Sequence, residues 1–163
     1  MPAMNKAQLR ERLKELSFSA QLPDKVVDHL AEISLAIDYP AGSVLFREGS
    51  VNDTLYLVCW GTVALEMNVP ARGAARLLTL GPGDLVAWSS LLNHGEMTAT
   101  AIVTEDAQLI AISAPKLRRL CEADHELGFQ FMRRLSQALA KRLVATRLQL
   151  LDLFSHEPPV IKS

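Results

Sequence analysis

Few side chains in this sequence are spaced for chemistry. His29, His94, His125 and His156 are scattered and show no paired ligand spacing, so the pattern names no metal. A haem at His94 would need an axial partner such as Cys59, and nothing in the spacing joins the two. An iron–sulfur cluster ordinarily takes four cysteines, and only Cys59 and Cys121 occur. Cys59 falls in an apolar strand-like run and Cys121 in a helical one, so both read as buried free thiols. Ser89 and Ser90 are adjacent hydroxyls, but no base stands at a predictable distance from either, and a serine nucleophile needs one. No Ser-His-Asp ordering, phosphate loop or metal motif is present, and the expectation is a non-enzyme. The remaining charge clusters read as solvated faces. Asp24, Asp28 and Glu32 recur along one helix side, and Arg133, Arg134, Lys141, Arg142 and Arg147 read as rim charges on a long helix.

The bulk numbers place the chain in the soluble globular class. A chain of 163 residues with 49% hydrophobic and 21% charged residues can bury one domain-sized core. Lys plus Arg count 17 against 18 Asp plus Glu, a net charge of -1, which leaves no basic footprint for nucleic acid. No apolar run is long enough for a membrane helix. The segment from Met1 to Arg12 is polar and lacks a signal-peptide core. The expectation is a cytoplasmic protein that contacts neither membrane nor, directly, nucleic acid.

Hydrophobic periodicity divides the chain into three stretches and a tail within one domain. Residues 1–36 carry two helices: Leu9, Leu13 and Leu16 recur at helical spacing, as do Val26, Val27, Leu30 and Ile33 after Pro23. Residues 37–114 read as short strands between glycine turns: Val44–Phe46, Leu55–Trp60, Thr62–Glu66, Arg76–Leu80, Thr98–Val103 and Gln108–Ile112, with a hairpin loop over Asn68–Ala75. Residues 115–154 are helical again. Pro115 opens a short helix, and Asp124 caps a long one reaching about Phe154. Its stripe, Met132, Leu135, Leu139, Leu143, Leu150 and Leu153, is too long for one small domain to cover, and an identical helix is the simplest partner. The dimer-helix candidates are Leu135, Leu139, Leu143, Leu150 and Leu153. The tail, 155–163, carries Pro158-Pro159 and no periodicity.

Three motifs in order resemble the cyclic-nucleotide-binding domain family over about Leu16 to Leu153. They are Pro40-Ala41-Gly42-x-x-Leu45-Phe46-Arg47-Glu48-Gly49, then Leu55-Tyr56-Leu57-Val58-x-x-Gly61-Thr62-Val63-x-Leu65, then Leu80-Gly81-Pro82-Gly83-Asp84. The resemblance implies a mainly β fold, a double-stranded β-helix (jelly roll) with N-terminal helices and a long C-terminal helix. It is nearest to the sensory domains of receptor-protein and fumarate-nitrate-regulator transcription factors. Those carry a DNA-binding domain beyond the long helix; here the chain ends soon after Phe154, and no such domain is expected.

The resemblance also implies a ligand cassette after the Gly-Asp turn: a Gly-Glu pair, a short helix, and an Arg before a small residue and Ala-Thr. The Glu accepts the ribose hydroxyl, the Arg pairs with the cyclic phosphate, and helix N–H groups complete the cradle. In this sequence Ala87 stands at the Gly, Trp88 at the Glu and Met97 at the Arg, with Thr98-Ala99-Thr100 following as in the family. Ser89, Ser90 and Leu91 occupy the short helix, where the two serines could still offer donors. Those nine residues are the pocket candidates. Three fates stay open: Trp88 and Met97 fill a collapsed pocket, they wall a less anionic ligand, or a cyclic nucleotide is held by substitute contacts, with Arg118, Arg119 or Arg142 as rescuers. No cofactor other than that doubtful cyclic nucleotide follows. Two functions are weighed: a sensory module that signals through ligand-dependent movement of the C-terminal helix, with an unknown protein partner, and a constitutive dimerisation or scaffolding domain with a filled pocket.

Overall fold

The computed structural model describes residues 3–92 and 94–155; the calls on His156 and on the Pro158-Pro159 tail lie outside the described residues. Helix α1 (Lys6–Glu15) starts where the Asn5 side chain accepts from the Gln8 amide at 2.9 Å and Gln8 Oε1 accepts from the Asn5 amide at 3.0 Å. This reciprocal pair satisfies two amides that a helix start leaves open. Helix α2 (Asp24–Glu32) follows Pro23 and leads into the strands β1 (Ser34–Tyr39), β2 (Val44–Phe46), β3 (Thr54–Val69), β4 (Gly73–Leu80) and β5 (Leu85–Val86). A single turn, α3 (Ser89–Leu92), then precedes β6 (Thr100–Ser113), α4 (Ala114–Ala123) and α5 (His125–Ser155).

Six antiparallel strands form the roll, in the order β1-β6-β3-β4, with β2 paired to β6 and β5 to β3. The long strands correct the sequence reading. Leu55–Trp60 and Thr62–Glu66 are one strand, β3, and the runs Thr98–Val103 and Gln108–Ile112 are joined in β6. The break expected at Gly61 is a bulge: register shifts occur between Val58 and Trp60, Trp60 and Thr62, and Thr62 and Val63. Gly61 has φ +87, and a Cβ there would lie 2.4 Å from the Asp106 carbonyl and 2.5 Å from Ala107 Cβ. Only glycine lets β6 pass so close, so the strand bends and continues. The hairpin also closes more tightly than expected, with β3 reaching Val69 and β4 starting at Gly73.

Alternation along the strands divides the buried side chains between two clusters. Leu55, Leu57, Ile110 and Ile112 face the helices with Leu9, Leu13, Leu30, Leu117, Phe131 and Leu135. Tyr56, Val58, Val63, Val86, Val103 and Leu109 fill the inside of the roll. Ser113 caps α4, its hydroxyl accepting from the Lys116 amide, and Asp124 caps α5, its carboxylate accepting from the Leu127 amide at 3.1 Å. Arg134, expected in solvent, donates from Nε to the Phe18 carbonyl at 2.8 Å and from Nη2 to the Ser17 carbonyl at 3.1 Å, and stacks on the Phe18 ring. Leu135 is buried in the domain's own core and Leu139, half-buried, packs beside it, whereas Leu143, Leu150 and Leu153 are exposed. Asp28, also read as solvated, pairs with the Arg10 guanidinium.

Candidate functional site

The cassette begins at a turn that the sequence closes twice. The Asp84 carboxylate accepts from the Gly81 amide at 2.9 Å, and the Gly83 amide donates to the Val58 carbonyl at 2.8 Å. A Cβ on Gly83, at φ +87, would meet Ser17 Oγ at 2.3 Å, so the loop before α2 seats directly on this turn. The short strand β5 then sends Leu85 toward the helices and Val86 into the roll. Ala87 follows at φ +69, a left-handed conformation that costs a residue with a Cβ about 1–2 kcal/mol. The position that the family resemblance gives to glycine thus keeps the backbone geometry that needs one.

Trp88, Ser89, Ala87, Thr98 and Ala99 converge on a half-open cavity of about 20 Å³, bordered also by Phe46, Leu65 and Arg142. That is room for roughly one water molecule, whereas small-molecule pockets run to about 300 Å³ and more. Trp88 packs against the helix-side cluster. Met97 does not line this cavity: it is 2% exposed within the roll core, and its thioether lies 3.8 Å from Asn52 Nδ2. The Ser90 hydroxyl donates to the Ala87 carbonyl at 2.6 Å, which occupies the donor foreseen for a ligand. Ser90 and Leu91 instead border a second cleft of about 470 Å³ on the outer side, with His94, Asp53 and Arg118, whose Nη2 donates to the Ser90 carbonyl at 3.0 Å. Thr100 lies in β6, its hydroxyl accepting from the Glu48 amide at 2.9 Å.

Arg142 is the charged group that the rim-charge reading misplaced. It comes from α5, lines the small cavity and donates from Nη2 to the Leu85 carbonyl at 2.5 Å. Burial pulls its guanidinium below its ordinary pKa, and the Asp84 carboxylate pulls the other way. An arginine remains charged through such a shift. The signal was in the spacing: Phe131, Leu135, Leu139 and Arg142 share the inner face of one helix. Phe46 and Leu65 had no such signal, since only the closure of the roll brings them to the cassette. Among the described residues, no three His, Cys, Asp or Glu side chains gather to hold a metal ion. Cys59 is buried, and burial pushes its thiol up to about 11, which leaves it a poor nucleophile at neutral pH. No described helix is long and apolar enough to cross a membrane.

Known proteins share this fold. The cyclic AMP receptor protein of Thermus thermophilus is 35% identical over 117 residues, covering 66% of this chain and 54% of its own length. The chain thus spans about half the length of the curated relatives it matches. A candidate cyclic nucleotide-binding protein of Geobacter metallireducens superposes with a TM-score of 0.74 at 30% identity, over 82% of this chain and 97% of that one. A cyclic nucleotide-binding domain of Methylobacillus flagellatus, at 19% identity, shares the fold with a TM-score of 0.78 over 96% of this chain and 86% of its own. The family profile described as "Cyclic nucleotide-binding domain" matches residues 36–124, from β1 through the cassette to the cap of α5. With its roll, its cassette turn and its long helix all in family order, the chain belongs to the cyclic nucleotide-binding domain family.

Proposed function

We propose that the chain is a non-enzymatic regulatory module in which α5 reads the state of the β-roll pocket, and that this pocket does not hold cyclic AMP through the carboxylate and guanidinium contacts of its family. The observation that carries the reading is the cavity of about 20 Å³ walled on one side by Arg142 from α5. A helix residue that walls the pocket must move when the pocket fills, so occupancy and helix position are coupled. Trp88 supplies no acceptor for a ribose hydroxyl, and Met97 supplies no cation for a phosphate. Losing one partner of a buried charge pair costs about 2–5 kcal/mol, or roughly 30- to several-thousand-fold in affinity. Beyond the domain, the exposed apolar half of α5, including Leu143, Leu150 and Leu153, pairs with the same helix of a second copy. A downstream protein partner would read that pair.

One observation favours a second reading. A cavity that is nearly full is also what a permanent dimerisation or scaffolding domain would have. Calorimetric titration with cyclic AMP, together with hydrogen exchange along α5, separates the cases. The expected result is no saturation in the micromolar range; saturation there would remove the claim of lost contacts. If no small molecule from a metabolite screen changes α5 exchange or melting, the scaffold reading replaces the sensory one.

A further inference from the structure

Arg142 stands in an unusual place for a cation. The other walls of its cavity are the apolar Phe46, Leu65, Ala87 and Ala99, the Trp88 indole, and the hydroxyl residues Ser89 and Thr98. Its hydrogen bond goes to a neutral backbone carbonyl, that of Leu85. The opposing charge that acts on it, Asp84, belongs to an exposed residue whose carboxylate already accepts from the Gly81 amide. Desolvating a guanidinium without a bonded carboxylate is costly, and a leucine or methionine would fill the same space without that cost. A hydrogen bond between ionised partners is roughly twice as strong as one to a neutral group, and more so where water is excluded. An anion entering the cavity would therefore outcompete the Leu85 carbonyl for Arg142. A cation would be repelled, and a neutral molecule would have to displace Arg142 without replacing its bond.

Resting on the sensory reading above, we propose that the pocket is a receptor for a compact organic anion with a flat apolar body, which enters from the open side, takes Arg142 from the Leu85 carbonyl, widens the cavity of about 20 Å³ as Arg142 and α5 withdraw, and stacks on Trp88. The anion is gripped from α5 and not from the cassette, so the group that binds the charge is itself on the helix that moves. A carboxylate and a phosphate monoester offer the same recognition chemistry, and the two are separated by experiment.

The probes are benzoate with its neutral twin benzamide, and phenyl phosphate with phenol, titrated into the full chain while following thermal melting and Trp88 fluorescence in a Trp60→Phe background. At least one anion is expected to bind roughly tenfold or more tightly than its neutral twin, and benzoate against phenyl phosphate tells which head group fits. Arg142→Gln should abolish the preference, while Arg142→Lys, which keeps the charge, should retain part of it. A melting curve of each variant without ligand checks that it folds, and only folded variants are compared. The proposal is overturned if neither anion shifts the melt, if the neutral twins bind equally well, or if the preference survives in Arg142→Gln. Hydrogen exchange of α5 in the same samples keeps the two readings apart. Neutral twins that bind and release α5 would leave the sensory reading standing without the anion. An anion that binds through Arg142 with α5 unmoved would do the reverse.

Discussion

The two halves of α5 are one continuous helix with opposite environments. From His125 to Arg142 the helix is docked: Leu127, Phe131 and Leu135 are buried, Phe131 meets Phe18 edge-on at 5.7 Å between ring centres, and Arg134 and Arg142 donate to carbonyls of the loop after α1 and of β5. From Leu143 onward every described residue is exposed, including Leu150 at 51% and Phe154 at 70%. Leucine content does not mark the docked half, since the exposed residues 143–155 hold five leucines against three in 125–142. The difference lies in what each half meets. The proximal half has a sheet and two helices beneath it, whereas the distal half runs past the end of the roll. The proximal half therefore belongs to the stability of the domain, and the distal half to whatever the domain touches.

The largest effect should come from the docked half. Phe131→Ala should cost about 3–5 kcal/mol of unfolding free energy, because a fully buried ring leaves a cavity. Phe154→Ala should change the same quantity by less than about 0.5 kcal/mol, as surface changes usually do. Urea titrations of the two variants side by side check this, and equal losses would erase the distinction between the halves. Next comes assembly. Leu143→Asp combined with Leu150→Asp should leave the melting of the dilute domain nearly unchanged yet convert a sedimenting dimer to monomer, since like charges would face each other along a paired seam. A wild-type chain that sediments as a monomer at all concentrations would refute the pairing. The smallest effect concerns the joint where the docked half begins. The Leu127 amide, and after it Lys25 at 3.3 Å, hold the Asp124 carboxyl below the usual carboxylate range. A depressed carboxyl contributes stability at neutral pH that disappears as pH falls below that range and through its lowered folded value. Asp124→Asn keeps the capping oxygen, so it should flatten this acid limb in a pH-melting series while changing the neutral melting point little.

Much of the fold was legible because its signals are local. Turn residues such as those from Gly81 to Asp84, the Asp124 cap, and the helical spacing of Leu9 and Leu13 act within a few residues of themselves. Where the sequence misled, a distant element was responsible. Gly61 looked like a strand end because glycine usually interrupts strands, but the approach of Asp106 and Ala107 makes it the residue that lets the strand continue. Met97, left open between filling the pocket and walling a ligand, is directed into the roll core by the turn before β6. Arg134 and Arg142 looked solvated because a charged residue on a helix usually is, and here the carbonyls that receive them belong to other parts of the chain.

By itself, the sequence determined the order of the elements, the family motifs, the excess apolar length of the last helix, and the presence of an indole and a thioether in the cassette. These are properties of residue type and short-range spacing. Only the tertiary structure decided which leucines of that helix the domain keeps, that Arg142 enters the pocket, and that the space left there is small. Burial depends on which surfaces come to lie against each other, and a helix carries no mark along its own length of where the sheet beneath it ends.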